Sequence, residues 1–324
     1  MTIHRAPYYL DCDTGIDDAL AIAYLLEAAA DDARGIDIVG IGSVSGNVSA
    51  ALGAANTLDL VALSGRDDIP VAVGAHHPQG GSFRGGAPHV HGTNGIGDVE
   101  IAGAASSVVD ESAAELLVRL AREHAGELRV IAIGPLTNLA EALRLEPALP
   151  TLVKELTIMG GAANVPGNIT PVAEANIAND ADAAADVFAA DWFITMVPLD
   201  VTMANVFVEH HRRALIDSGR PVAVAVGRML DHYFEFYVSV YGHRASALHD
   251  PLAVAIALGD LPLRTAPVVR VVVDTTDGPG RGQTICDLRG GYNGYPEQSG
   301  AHTRVVLELE DDFAPTLLDR LLLA

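Results

Sequence analysis

The 324-residue chain carries 20 Lys plus Arg against 42 Asp plus Glu, a formal charge of −22. That acidic excess excludes nucleic acid and anionic membrane surfaces as partners, because a phosphate surface needs a basic footprint, and leaves a neutral or cationic small molecule as the compatible ligand. With 49% hydrophobic residues but only 5% aromatics, the length fits one large α/β domain over residues 1–324, packed through aliphatic side chains.

Cys12 and Cys286 are too far apart in sequence to suggest a disulfide framework, and the segment from Met1 to Pro7 lacks the apolar run of a signal peptide. The cytoplasm is the expected location. No apolar stretch of bilayer-spanning length escapes interruption by charge, Gly or Pro, so no membrane span is expected.

Tyr8 to Cys12 reads as a short apolar strand running into acid and Gly15, and Asp17 to Ala30 then follows helical periodicity. The alternation recurs as Ile36 to Ile41 then Ser49 to Leu63, and as Leu128 to Ile133 then Leu136 to Leu145. Leu156 to Met159 is followed by a helix near Ala181 to Ala190 and by a buried strand at Phe193 to Val197. Near-continuous apolar strands alternating with helices predict a mostly parallel central sheet flanked by helices, a Rossmann-like core. Between Gly74 and Gly103 the pattern dissolves into Gly, His and Pro, longer than an ordinary connector and therefore a functional loop. After the charged segment Glu209 to Arg220 comes a long helix, Pro221 to Tyr241; β-type runs at Val268 to Val273 and Arg304 to Leu309 precede a final helix near Pro315 to Leu323.

The chemistry concentrates in Asp11-Cys12-Asp13-Thr14-Gly15-Ile16-Asp17-Asp18, four carboxylates within eight residues. They repel one another unless a cation or protons neutralise them, and at the C-terminal end of a first parallel strand they lie where open α/β sheets bind ligands. Oxygen ligands favour a hard cation, Ca²⁺ or Mg²⁺. The plainer reading, Asp17 capping a helix with Asp18 in its first turn, leaves Asp11 and Asp13 unexplained. An EF-hand loop fails because Ile16 and Ile22 stand where Gly and Glu are required. A haloacid-dehalogenase-like phosphatase, with Asp11 as nucleophile and Asp13 as acid, stays as an alternative, weakened by Gly15.

The cluster resembles the N-terminal signature of the inosine-uridine nucleoside hydrolase family, a strand ending in Asp-x-Asp-x-Gly-x-Asp-Asp-Ala. Further segments agree in order along nearly the whole chain: Val44-Ser45-Gly46-Asn47, His89-x-His91-Gly92, Gly134-Pro135-Leu136-Thr137-Asn138, Met159-Gly160-Gly161, Gly167-Asn168, Glu174-x-Asn176, Pro198-Leu199-Asp200-Val201-Thr202, His249-Asp250-Pro251, and Arg281-Gly282-Gln283-Thr284. The resemblance implies a Ca²⁺ held by Asp13, Asp18, Asp250 and the carbonyl of Ile133, with Asp13 also the general base toward a calcium-bound water that attacks the ribose anomeric carbon. It assigns Asp17, Asn47, Glu174 and Asn176 to the ribose hydroxyls, Asn168 to the neighbourhood of the 5′-hydroxyl, and Asp11 to an orienting place behind the ligands.

For His249 two readings stand level: an acid toward the leaving base, or a hydrogen-bond partner of the metal site. Tyr237 and Tyr241, four apart on one helical face, reach the base or pack the core; His91 lines the pocket, while two histidines alone are a weak zinc signal. By spacing alone Asn47 and Asn168 read as turn residues, and Glu174 and Asn176, two apart, point the same way if extended. Ala175 stands where relatives often carry Phe, and the single Trp192 sets the chain apart from the purine-specific branch. Hydrolysis of ribonucleosides to ribose and free base, in purine or pyrimidine salvage by a homodimer or homotetramer, is what the resemblance implies; a non-catalytic nucleoside- or ribose-binding protein is the remaining rival.

Overall fold

Eight strands build the central sheet in the computed structural model, which describes residues 5–323; residues 1–4, part of the segment read for a leader, and residue 324 lie outside the described residues. In chain order the strands are β1 (Ala6–Cys12), β2 (Ile36–Ser43), β3 (Val71–Val73), β4 (Leu128–Ala132), β5 (Val153–Met159), β6 (Ile194–Val197), β7 (Val268–Val269) and β8 (Thr303–Val305). Their spatial order is β7-β8-β6-β5-β4-β1-β2-β3, and each neighbouring pair is parallel except β7 with β8.

The helices are α1 (Ile16–Ala30), α2 (Ala50–Leu63), α3 (Ala113–Glu123), α4 (Thr137–Leu145), α5 (Ala175–Asn179), α6 (Ala181–Ala189), α7 (Glu209–Asp217), α8 (Pro221–Tyr241), α9 (His249–Ala257) and α10 (Phe313–Leu322). Because successive strand residues face opposite ways, Leu10 and Ile131 pack into a core shared with α1, α2, α8, α9 and α10. Tyr9 and Val130 pack into a second core with α3, α4 and α6. Covering both faces is what demands apolar residues at nearly every strand position. In the first core the buried ring of Phe313 lies edge-on to Tyr24, centroids 5.7 Å apart. Phe313→Ala should lower unfolding free energy by about 3–5 kcal/mol, read as an earlier urea midpoint at unchanged slope.

The expected fold class is the observed one, with local differences. The apolar run Val268 to Val273 divides at Arg270: its first two residues pair with β8, whereas Val271–Val273 pairs with Thr284–Cys286 in a separate hairpin. The Arg270 backbone N–H donates to Gln298 and its guanidinium to the Ser299 carbonyl, which turns the chain out of one sheet before it enters the next. The run from Arg304 to Leu309 divides likewise, Glu308–Leu309 pairing with Leu263–Thr265. Helix α3 is signalled by the capping box Ser112-x-x-Glu115 rather than by strand alternation, and α7 occupies the charged segment. The loop between Gly74 and Gly103 holds one short helix, Pro88–His91, and is otherwise irregular.

What matters for function is where the order reverses. From β1 the chain moves outward to β2 and β3, then returns to β4 on the opposite side of β1. The crevice between the C-terminal ends of β1 and β4 is therefore a topological switch point, the place where such sheets bind ligands. Asp13 follows β1 and Ile133 follows β4 directly at that crevice.

Candidate active site

The first strand stops at Cys12 and Gly15 becomes the N-cap of α1, so Asp17 is not the cap that the plainer sequence reading made it. Asp18, in the first turn, reaches back: its Oδ2 accepts from the Gly15 backbone N–H at 2.8 Å and from the Asn47 side-chain amide at 3.0 Å, and its Oδ1 from the Asp13 N–H at 3.1 Å. The Asn47 backbone N–H donates to Asp13 Oδ2 at 2.6 Å. Gly46 is required beside it, since a Cβ there would collide with the Asp13 carboxylate.

Asp250 arrives from the far end of the chain in the first turn of α9, a helix packed on α1. Carboxylate oxygens of Asp17, Asp18 and Asp250, all buried, lie within 4.8 Å of one another and could hold a metal ion. The N-termini of α1 and α9 offset part of the mutual repulsion. The rest appears in the acidities. Burial, with Asp17 next, pushes the Asp18 carboxyl up to about 7. Burial, then Asp17, Asp18, Asp13 and Glu174, pushes Asp250 well above the usual carboxylate range, and burial with Asp18 does the same to Asp13. Two oxygens of this cluster, Asp13 Oδ1 and Asp17 Oδ1, are buried and accept no hydrogen bond from any described residue. Orphan acceptors in an oxygen-only set are what a hard divalent cation would satisfy.

The far wall is set by α5. Glu174 and Asn176 are not an extended pair: Glu174 is the N-cap of α5, its carboxylate accepting from the Asn176 and Ile177 N–H groups and from Gly161, while Asn176 is helical. The Asn176 amide donates to the carbonyls of Ile133 at 2.9 Å and Met159 at 3.1 Å, so the two residues meet the site in different ways. Burial lifts the Glu174 carboxyl to about 7 against four backbone donors. Asn168 sits exposed in the loop leading to Glu174 and, among the described residues, makes no hydrogen bond to the aspartates.

Aromatic and imidazole groups cover the remaining side. The Tyr233 hydroxyl, which the sequence reading passed over, donates to Asp17 Oδ2 at 2.8 Å; it belongs to the same four-residue stripe as Tyr237 and Tyr241, and that stripe was its signal. The Tyr237 hydroxyl lies 2.7 Å from His249 Nε2, whereas Tyr241 turns away and donates to the Met203 carbonyl. His91 stacks on Tyr233 and accepts the Ile16 backbone N–H at its Nδ1. That role needs a neutral ring, and burial holds its pKa down at about 4.

Asp11 is fully buried on the opposite face of β1, its carboxylate accepting from the Tyr9 hydroxyl at 3.0 Å and from the Asn138 amide at 3.0 Å and 3.2 Å. Burial raises its pKa to about 7. A carboxylate enclosed this way presents no oxygen to a phosphoryl group, which weighs against the phosphatase alternative.

Residues 8–314 match the sequence profile described as inosine-uridine preferring nucleoside hydrolase. The chain belongs to that family. The hydrolase is 35% identical to the probable uridine nucleosidase 2 of Arabidopsis thaliana over 87% of this chain and 85% of the relative. It is 34% identical to the inosine-uridine preferring nucleoside hydrolase of Crithidia fasciculata over 96% of both chains. Among solved structures, the plant nucleoside hydrolase PpNRh1 superposes with a TM-score of 0.89 at 28% identity, covering 98% of this chain and 99% of that one. The hydrolase acts on N-glycosidic bonds of nucleosides, and among its described residues no helix is long and apolar enough to cross a membrane.

Proposed function

We propose that the chain is a calcium-dependent ribonucleoside hydrolase in which Asp13 takes the proton of the attacking water. The observation that carries this reading is the Asp13 carboxylate itself: one oxygen is fixed by the Asn47 N–H while the other, buried at the switch point, is left without a donor. Burial, with Asp18 next, pushes the pKa of that carboxyl up, so a neighbouring cation is what would keep it ionised and able to take a proton near neutrality.

Asp17, Asp18 and Asp250, whose oxygens converge, would hold the cation, with the unpaired oxygen of Asp13 and the Ile133 carbonyl as the further ligands that the family resemblance implies. Bound Ca²⁺ would supply the positive charge that neutralises these carboxylates and polarises water and sugar hydroxyls. Asp17, Asn47, Glu174, Asn176 and Asn168 grip the ribose, and the non-reacting hydroxyls they bind hold the sugar toward an oxocarbenium-like geometry. As the water oxygen bonds to the anomeric carbon, its proton passes to Asp13. The C–N bond breaks, its electron pair leaves with the base, and the base takes up a proton on the side lined by His249, Tyr237 and His91. Inosine and uridine are the first candidates, since the relatives are named for them.

A panel of inosine, uridine, cytidine and adenosine, assayed for ribose release with and without chelator, tests the proposal. Release from at least one nucleoside, lost on chelation and restored by Ca²⁺, is expected. Tight nucleoside binding with no base released would instead favour a binding protein.

A further inference from the structure

We propose that Asn138 is a positioning residue: its one side-chain amide laces together the C-terminal ends of four neighbouring strands, and so fixes where Asn47 delivers its N–H to Asp13. Asn138 closes the segment Gly134 to Asn138, none of whose side chains has a part in the proposed chemistry. It is fully buried in the first turn of α4, the helix that follows β4. Its Nδ2 donates to the carboxylate of Asp11, in β1, at 3.0 Å and 3.2 Å, and to the carbonyl of Ser43, the last residue of β2, at 3.2 Å. Its Oδ1 accepts the N–H of Ala75, in the chain that leaves β3, at 2.8 Å. The strands β4, β1, β2 and β3 lie side by side in that order, so a single amide reaches all four at the mouth of the crevice.

The chemistry of the partners settles which way the amide points. A backbone N–H can only donate and a backbone carbonyl can only accept, so Ala75 takes the oxygen and Ser43 the nitrogen. Both amide protons are then used, one on Ser43 and one on Asp11. The fit is also tight. A Cβ on Gly74 would stand 2.2 Å from Asn138 Oδ1 and 2.5 Å from Nδ2, although the backbone of Gly74 is not left-handed. Glycine at 74 therefore answers to the space the amide needs.

From the amide the path to Asp13 is short. On the β3 side the Ser45 N–H donates to the Ala75 carbonyl at 3.0 Å and the Gly74 N–H to the Ser43 carbonyl at 2.8 Å; on the β1 side the Val44 N–H donates to the Cys12 carbonyl at 2.9 Å. Residues 43–45 are thus held from both sides, with Asn138 spanning the two. At the end of that segment the Asn47 N–H meets Asp13 Oδ2 at 2.6 Å and the Asn47 side chain meets Asp18. Among the described residues the Asn138 side chain makes no hydrogen bond to Asp13, Asp17, Asp18 or Asp250; it acts through Asn47. The consequence for turnover rests on the nucleoside hydrolase reading, whereas the lacing does not.

The test is amide hydrogen exchange resolved by residue, joined to kinetics, on Asn138→Leu and Gly74→Ala. The first removes the amide; the second keeps it and displaces it. Phe313→Ala is the control, because it costs stability in the first core and touches none of these bonds. In both test variants the amides of Ala75, Ser45 and Asn47 should exchange about tenfold faster relative to the amides of β6, the effect of one lost hydrogen bond on local opening. Phe313→Ala should leave that ratio unchanged. On the nucleoside accepted in the panel, both test variants should lose about tenfold in kcat with KM little changed, while Phe313→Ala keeps the wild-type kcat. An unchanged exchange ratio in Asn138→Leu overturns the proposal, as does the same result in Gly74→Ala should the leucine variant not fold. A kcat loss in Phe313→Ala equal to theirs also overturns it, since stability alone would then explain the effect. If the wild type releases no base from any nucleoside, the functional reading falls while the exchange rates still decide the lacing.

Discussion

Replacing Asp13 with Asn is expected to lower kcat for base release by about a thousandfold, within the range a positioned general base contributes, while the far-ultraviolet circular dichroism stays unchanged. The amide keeps the shape of the side chain and can still accept the Asn47 N–H, but it cannot take a proton from water. Asp250→Asn should also fall steeply, and its activity should require more Ca²⁺ because one ligand charge is gone. The informative contrast is Asp11→Asn. Its neighbours Tyr9 and Asn138 can re-pair with an amide, so the loss there should stay within about tenfold, the scale of one hydrogen bond. Equal losses at Asp11 and Asp13 would sink the division of labour proposed for the cluster and return weight to Asp11 as a nucleophile.

The second large effect is on stability. Asp18, Glu174 and Asp11 are each lifted to about 7, with burial the leading cause, against about 4 for an unfolded carboxyl. A folded-state pKa above the unfolded value means that the fold prefers the protonated group. The stability so gained is complete below about pH 4 and is lost as pH rises toward about 7. One carboxyl moved over that interval corresponds to roughly 4 kcal/mol. Chelator-treated protein should therefore melt progressively lower between pH 5 and pH 8, and Ca²⁺ should recover the part of the loss that belongs to Asp18. The gain in Tm on adding Ca²⁺ should be larger at pH 8 than at pH 5 by roughly 5–10 °C for a chain of this size, as scanning calorimetry would show. A gain that does not change with pH would mean that Asp18 is not among the carboxylates the cation binds.

Much of this was legible in the sequence because the signals were local. A strand ending in acid and glycine, followed by a periodic helix, specified β1 and α1 to within a few residues, and Pro221 to Tyr241 matched α8 at both ends. The misreadings came where tertiary partners decide. Glu174 and Asn176 look extended by spacing, yet backbone N–H groups needing an acceptor made Glu174 a cap. Val268 to Val273 looks like one strand, yet Arg270 breaks it through bonds to residues from 298 onward. Tyr233 and Tyr241 are equivalent by helical spacing from Tyr237; only the packing of α8 turns one hydroxyl to Asp17 and the other to Met203. Asp200, legible in the sequence only as part of a family segment, holds the Ala163 and Asn164 N–H groups at the start of the loop to Glu174. Asp250 needed the family resemblance, because nothing in its neighbourhood of the sequence points back to residue 13.

That long reach between Asp13 and Asp250 bears on how the molecule is made. The ribosome releases the first half of the sheet, with three buried aspartates already at its crevice, well before α9 emerges to close the group. An emerging chain cut short of residue 250 would carry the repulsion without its last oxygen ligand and without the helix that packs on α1. Cation affinity should thus arise abruptly late in synthesis, and until then the amino-terminal portion is the segment most in need of chaperone cover.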